Sequence, residues 1–221
     1  RGLTKTLDRT KLIELGKQIK DPDLQEKFFN RLKDWKDAYK GTYKGATFLA
    51  EYLKDLGVTN VEFLPVQESP NDQNDIPGYD QQYWGYMTLG YFAPERRYSY
   101  NKQPGGPTEE MADMIDEFHK TGIKVCFDVV YNHTAEGEQW GGCGPEVTDM
   151  LSMRGLDNKT YYQTTRDNKY YWQDSGCGPN LNVTNPVTQN LVIDSLNYFK
   201  KLGADSFRFD LAPILGNDIK K

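Results

Sequence analysis

The stretch GADSFRFDLA, residues 203–212, decides the fold. It opens on a glycine after a helix-like segment, and its apolar and polar residues then alternate with the period of two that a β-strand has. The same order of helix, glycine and apolar strand occurs twice earlier in the chain. Three such units are typical of a parallel sheet covered on both faces, and they predict an α/β fold. We expect helices over residues 46–56, 108–121 and 186–202, and strands over residues 58–66, 123–131 and 204–211.

The N-terminal part of the chain has a different pattern. Residues 8–40 are rich in charge, and the sequence DPD at 21–23 stops one helix and starts another. Apolar residues recur at helical spacing at positions 12, 15 and 19, and again at 24, 28, 32 and 35. The pattern predicts a helical hairpin whose apolar stripe is a packing face rather than a ligand site. We therefore predict an N-terminal helical insertion and lead-in over residues 1–44, followed by an α/β domain over 45–221.

Composition and motif content exclude several classes of protein. The 221 residues carry 27 Lys and Arg against 32 Asp and Glu, a net charge of −5, so a basic surface for nucleic acid is not expected. No apolar run approaches the roughly 18 residues of a membrane span. The sequence also lacks the glycine-rich phosphate loops, the HExxH zinc motif and the GxSxG elbow of serine hydrolases. We expect a globular protein that binds neither nucleic acid nor membrane.

The three cysteines bear on the compartment. Cys126 lies in an apolar run and is predicted to be a buried small hydrophobic residue. Cys143 and Cys177 lie in glycine-rich loops and could pair in an exported protein. Because a disulfide framework normally needs more cysteines in a shorter chain, we favour free thiols in a reducing compartment, and hence the cytoplasm over secretion.

Two connections are much longer than the usual 2–6 residues of an α/β fold. They cover residues 67–107 and 134–185, and each follows the carboxyl end of a predicted strand. Parallel sheets place their ligand sites at that edge. Because the two connections hold most of the Gly, Pro, Tyr and Trp of the chain, we expect them to carry function rather than to be disordered insertions.

Charged residues inside two predicted strands are the strongest chemical signal. The strand period puts Arg208 and Asp210 on one face, where a buried charge must be paired. Asp128 lies inside an apolar strand and needs a partner, for which Arg208 is the obvious candidate. An adjacent arginine favours the ionised form of Asp210, as suits a carboxylate nucleophile. A buried structural ion pair explains the same pattern, and the spacing alone leaves both interpretations open.

The sequence around these strands resembles a known enzyme family. DVVYNH at 128–133 and GADSFRFDLA at 203–212 resemble the first two signature regions of glycoside hydrolase family 13, the α-amylase family. Further segments resemble its isoamylase and glycogen-debranching branch, and the match runs from about residue 41 to 216. These segments are VEFLPVQE at 61–68, YWGY at 83–86, APERRY at 93–98, HTAEG at 133–137 and RGLDN at 154–158.

The resemblance implies a fold and a set of roles. The fold is a partial (β/α)8 TIM barrel, comprising about strands two to four, with the insertion at 134–185 as one of its loops. Asp210 is implied to be the nucleophile of a retaining hydrolysis, and Arg208 to orient and ionise it. The implied substrate-binding residues are Tyr86, which would stack on a glucosyl ring, together with Asp128, Asn132 and His133, of which His133 would bond a sugar hydroxyl.

The resemblance also implies an activity. It is the hydrolysis of α-1,6 branch points in an α-glucan polysaccharide such as glycogen or amylopectin. Alternatives are an α-glucan hydrolase or transglycosylase of other linkage preference, and a non-catalytic glucan-binding protein. In the family the general acid lies on a later barrel strand, so residues 1–221 by themselves are expected to be inactive.

A calcium ion is the only cofactor that the resemblance suggests. Some isoamylases hold calcium near the loop after the second strand, and the positions that match its ligands here are Glu68, Ser69, Asn71 and Glu95. Calcium needs six to eight oxygen ligands, and Glu95 stands where a shorter Asp is expected. No cofactor is expected to be required for the chemistry itself.

Overall fold

The computed structural model describes residues 2–69, 84–135 and 153–215. Within these residues, helices and strands alternate after an N-terminal run of helices. Helices α1 to α8 span Gly2–Lys5, Arg9–Gln18, Pro22–Leu32, Tyr43–Thr47, Ala50–Asp55, Gly106–Lys120, Arg154–Tyr161 and Pro186–Lys201. Strands β1 to β5 span Asn60–Phe63, Gln67–Glu68, Gly90–Pro94, Lys124–Val129 and Ser206–Phe209.

The predicted helical hairpin is confirmed. Helix α2 begins because the Asp8 carboxylate accepts a hydrogen bond from the backbone N–H of Lys11 at 2.8 Å. Helix α3 begins in the same way, with Asp21 capping the N–H groups of the first turn and Pro22 at its start. The predicted apolar stripe is a packing face, as expected. Its buried members are part of one core cluster, to which Tyr39, Phe48 and Leu49 also belong; the members from the stripe are Leu12, Ile19, Phe28, Leu32 and Trp35.

The predicted parallel sheet is also confirmed. Strands lie in the order β1, β4, β5, and β1 pairs in parallel with β4, so that Val61 lies opposite Val125. The backbone N–H of Asp205 donates to the carbonyl of Val125 at 2.9 Å, and that of Asp210 donates to Val129 at 3.0 Å. From the first bond to the second, the residue numbers rise along both strands, so β5 runs parallel to β4. The middle strand β4 is buried from its second residue to its last, Cys126 included, as a sheet covered on both faces requires.

Two predicted elements differ from the structure. The helix expected over 46–56 is two shorter helices, α4 and α5, because the chain leaves the helix at Phe48 and Leu49 to bury both side chains in the hairpin core. The strand expected over 58–66 ends at Phe63. After Pro65 the chain forms β2, which pairs with β3 in a separate two-stranded sheet. In both cases tertiary contacts override the local pattern.

The chain divides into two compact units. The first comprises residues 1–63, 94–127 and 200–206, and it contains the helical hairpin and β1. The second comprises residues 64–93, 128–199 and 207–221, and it contains α7 and most of α8. The domain boundary expected at residue 44 lies inside the first unit and stays a prediction. No helix among the described residues has the length and apolar character to cross a membrane.

A glycine sets how closely the two helices of the hairpin approach. A Cβ atom at Gly16 of α2 would lie 2.7 Å from the ring of Phe28 on α3, which is 1% exposed. Gly155 of α7 is also helical, and among the described residues a Cβ atom there would meet nothing within 4 Å. The two glycines are therefore a matched pair, one constrained by packing and the other open.

We predict different effects of alanine at the two positions. Gly16→Ala overpacks the hairpin and lowers the free energy of unfolding by about 1–3 kcal/mol. Gly155→Ala changes it by no more than about 0.5 kcal/mol, because no described atom opposes the added methyl group and α7 is interrupted at Asp157, so little helix propensity is gained. Urea denaturation of the full-length protein, monitored by circular dichroism, measures both values. Equal stabilisation by the two substitutions would contradict the close approach of the helices.

Candidate active site

The predicted site residues converge at the carboxyl ends of two adjacent strands. Asp128 lies near the end of β4, and Asn132 and His133 follow that strand within four residues. Arg208 lies in β5, and Asp210 is the first residue after it. Parallel strands end at the same edge of a sheet, so these side chains lie close together there. All of them, and Tyr86, belong to the second unit.

An arginine holds two carboxylates at this edge. Nη1 of Arg208 donates to Oδ1 and Oδ2 of Asp128 at 3.0 and 2.9 Å, and to Oδ1 of Asp210 at 3.1 Å. The Asp128 side chain is 2% exposed, whereas that of Asp210 is 16% exposed and that of Arg208 is 44% exposed. The pairing of Arg208 with Asp128 expected from the strand pattern is confirmed. Asp128 is therefore the buried anchor of the cluster, and Asp210 is the carboxylate that solvent can reach.

The electrostatics keep the donors of the cluster protonated. The hydrogen bond with Asp128 raises the pKa of Arg208 above its usual range. The Tyr86 hydroxyl donates to Oδ2 of Asp128, and burial together with this bond raises the pKa of Tyr86 well above its ordinary value. Tyr86 is thus a neutral hydroxyl at physiological pH. It contributes a second donor to the carboxylate that Arg208 already binds.

Asn132 fixes Asp210 from the other side. Its Nδ2 donates to Oδ2 of Asp210 at 3.1 Å and to the Asp210 backbone carbonyl at 2.9 Å. These bonds orient the amide, so its Oδ1 faces Nδ1 of His133. Nε2 of His133 lies 3.0 Å from the backbone carbonyl of Tyr86. Both ring nitrogens of His133 therefore face acceptor oxygens of the protein, and its assignment to a sugar hydroxyl stays a prediction.

Backbone geometry at two residues helps to place the site. Gly85 has φ +80°, and a Cβ atom there would lie 2.8 Å from the carbonyl of Pro65, so only glycine allows the turn that leads into Tyr86. Leu211 has φ +45°, a left-handed conformation that is rare outside glycine. It follows Asp210 directly, and such strain is typical of residues that a functional site holds in place.

A buried polar network, which the sequence did not suggest, supports the chain just before Asn132. The Tyr131 hydroxyl lies 2.7 Å from Oγ of Ser195 on α8, and Nε2 of Gln67 donates to the same hydroxyl at 3.2 Å. Ser195 in turn donates to the backbone carbonyl of Tyr91. Burial raises the pKa of Tyr131 to about 12, so the network stays neutral. No periodic pattern reveals these contacts, because each partner comes from a different element.

The positions that the resemblance implies for calcium are only partly described. Both carboxylate oxygens of Glu95 are used by Arg97, through its backbone N–H at 2.9 Å and its guanidinium at 3.1 Å. Asn71 lies outside the described residues, and Glu68 and Ser69 contribute no acidic cluster. In the described part of the chain, no three His, Cys, Asp or Glu residues are grouped as a metal requires. The calcium assignment stays a prediction, and no chemical step depends on it.

Comparison with known proteins agrees with this geometry. The family model described as alpha amylase, catalytic domain, matches residues 26–142. The isoamylase of Pseudomonas amyloderamosa is 56% identical over 183 residues, which are 81% of this chain and 24% of that protein. The glycogen operon protein GlgX homolog of Mycobacterium tuberculosis is 38% identical over 184 residues, again 81% of this chain and 24% of that protein.

A solved structure shows the same architecture. The pullulanase of Anoxybacillus sp. LM18-11, crystallised in complex with maltotetraose, superposes with a TM-score of 0.62 at 31% identity. The match covers 81% of this chain and 26% of that one, and the chain likewise spans about a quarter of the length of the curated relatives. The parallel α/β sheet is part of a TIM barrel, and this chain belongs to the α-amylase catalytic-domain family.

Proposed function

We propose that the full-length protein is a retaining α-glucan hydrolase of the isoamylase type, which cleaves α-1,6 branch points of glycogen or amylopectin. The observation that carries the proposal is the Asp210 carboxylate, which Arg208 and Asn132 hold from two sides while it remains open to solvent. A 56% identical relative carries the name isoamylase, which favours this activity over other members of the family.

The first step is a nucleophilic attack. Among the described residues, each oxygen of Asp210 accepts one hydrogen bond, which leaves each a lone pair for the anomeric carbon of the substrate. Fixing the carboxylate before the substrate binds removes much of the entropy cost of reaching the transition state. The bond from the anomeric carbon to the leaving oxygen breaks as a glycosyl ester forms on Asp210, and water then hydrolyses that ester.

The leaving oxygen must receive a proton as it departs, and a second carboxylic acid gives it in a retaining glycosidase. Among the described residues, Asp128 does not fit this role. Its carboxylate is buried and already accepts bonds from Arg208 and Tyr86. Glu136 and Glu138 lie outside the described residues. In the family the general acid lies on a later barrel strand, so we expect it to come from another part of the full-length protein.

In the proposed site the sugar packs on the ring of Tyr86, which Asp128 holds in place. The apolar C–H face of a glucosyl ring packs well on an aromatic ring, and its hydroxyls need polar partners. Because Asp128 holds the Tyr86 hydroxyl, the ring has a fixed orientation before substrate arrives. The hydroxyl therefore matters in its own right, beyond the ring stacking that the family resemblance implies.

The assigned activity is tested with purified full-length protein on amylopectin and on unbranched amylose. We expect new reducing ends from amylopectin only. Release from amylose would instead favour the alternative of another linkage preference. Transfer products without net hydrolysis would favour a transglycosylase, and binding without turnover of either polymer would favour a non-catalytic glucan-binding protein.

The nucleophile assignment predicts the effect of Asp210→Asn. This change keeps the shape of the side chain but removes the negative charge, so turnover of amylopectin falls by about 10³-fold or more. Asp167→Asn, at an exposed aspartate of a surface turn, is the matched control and keeps normal turnover. Reducing-end assays measure both, with circular dichroism to show that both variants fold. A near-normal rate for Asp210→Asn would remove the assignment.

The bond between Tyr86 and Asp128 predicts a graded series. Tyr86→Phe keeps the ring but removes a hydrogen bond to a charged group, so kcat/KM falls by about tenfold to a hundredfold. Tyr86→Ala removes the ring as well and has a larger effect. Steady-state kinetics on amylopectin measure the series. If phenylalanine proves silent, the hydroxyl has no part in the site and only stacking remains.

A further inference from the structure

The segment 153–185 is attached directly to the active-site residues. The backbone N–H of Leu181 donates to the carbonyl of Asn132 at 3.2 Å, and Asn180 forms an antiparallel bridge with His133. Asn180 is fully buried. Because these bonds join backbone to backbone, the segment has a fixed position relative to the end of β4.

The outer side of the same segment carries a small cavity. Its volume is about 290 Å³, at the lower end of the range for small-molecule sites. Trp172, one of the lining residues, is 54% exposed, and the neighbouring Tyr170 is also exposed. Exposed aromatic rings are suited to packing on the apolar face of a sugar ring. The lining residues are Lys159, Tyr162, Gln163, Thr164, Trp172, Asn182 and Thr184.

The backbone of Trp172 is fixed by hydrogen bonds, although its side chain is exposed. Its backbone N–H donates to the carbonyl of Gln163 at 2.9 Å, and its own carbonyl accepts from the N–H of Asn180 at 2.8 Å. The position of the backbone is thus fixed from both sides. The fixed backbone keeps the tryptophan at a constant place in the segment, where a ligand can pack on its ring.

The polar groups of the cavity are also oriented in advance. Nδ2 of Asn180 donates to Oε1 of Gln163 at 3.2 Å, and in the described part of the chain no acceptor binds Nε2 of Gln163. The Thr184 hydroxyl donates to Oδ1 of Asn182 at 2.6 Å, so its oxygen is left to accept a bond. Lys159 is the one charged residue among the described residues of the lining. An exposed aromatic residue beside fixed neutral donors and acceptors suits a sugar better than a phosphate or a charged peptide.

We propose that this cavity is an accessory subsite for an α-glucan chain, with a glucose ring packed on Trp172 and its hydroxyls bonded to Gln163 and Thr184. The inference rests on the proposed function, since the ligand is a further part of the same polymeric substrate. Asn180 connects the two places, because it bridges His133 on one side and bonds Gln163 and Trp172 on the other. The subsite raises the affinity for long chains and leaves the chemical step unchanged.

The test uses the full-length protein with Trp172→Ala, Trp172→Phe and Leu156→Ala. Leu156 is an exposed apolar residue of the same segment that does not line the cavity, and its variant is the matched control. Affinity electrophoresis in gels containing amylopectin gives the dissociation constant. We expect Trp172→Ala to weaken binding by about fivefold to tenfold, Trp172→Phe to keep most of it and Leu156→Ala to keep all of it.

Kinetics separate a subsite from a structural role. Trp172→Ala raises KM for amylopectin but leaves kcat, and the rate on a short branched maltooligosaccharide, unchanged. Equal binding by the wild type and Trp172→Ala, or equal loss of rate on short and long substrates, overturns the subsite. Failure of the proposed function looks different, because the wild-type protein would then neither be retarded by amylopectin nor hydrolyse it.

Discussion

The site depends on the burial of one carboxylate, that of Asp128. A buried charge without a partner would cost several kcal/mol, so strand β5 must bring Arg208 next to it. That requirement fixes the register of β5 against β4, because a shift by one residue would turn Arg208 to the opposite face. With the register fixed, Asp210 necessarily lies at the edge of the sheet beside Asn132. One electrostatic requirement thus places the candidate nucleophile.

The hydrogen bonds around this cluster orient every member of it. Arg208 and Tyr86 bind Asp128, Arg208 and Asn132 bind Asp210, and His133 is held by Asn132 and by the carbonyl of Tyr86. A site that is oriented in this way does not have to reorganise when charge develops in the transition state. The exposed parts of Arg208 and Asp210 remain open to substrate. Packing on the aromatic rings would then supply much of the net binding energy.

The sequence predicts the parts of this structure that follow from local pattern. The three repeats of helix, glycine and strand predict the sheet, and the period of two in β5 predicts the pairing of Arg208 with Asp128. The break at Phe48 and the departure of the chain into β2 were missed, because distant residues decide both. The contacts of the Tyr86 hydroxyl and of Asn180 were missed for the same reason. No spacing along the chain reveals a partner that only the fold brings near.

The two long connections, residues 67–107 and 134–185, make different contributions to the site at the edge of the parallel sheet. The first supplies Tyr86, whose ring and hydroxyl both belong to the site itself. The second supplies no group to the Asp128 cluster among the described residues, but Asn180 and Leu181 join its backbone to the strand end. Anchoring of that kind is unnecessary for a loop that merely fills space. Such anchoring would keep the proposed subsite at a constant distance from the bond that is cleaved. A second binding site for the same polymer needs that constant distance if both sites are to be occupied together.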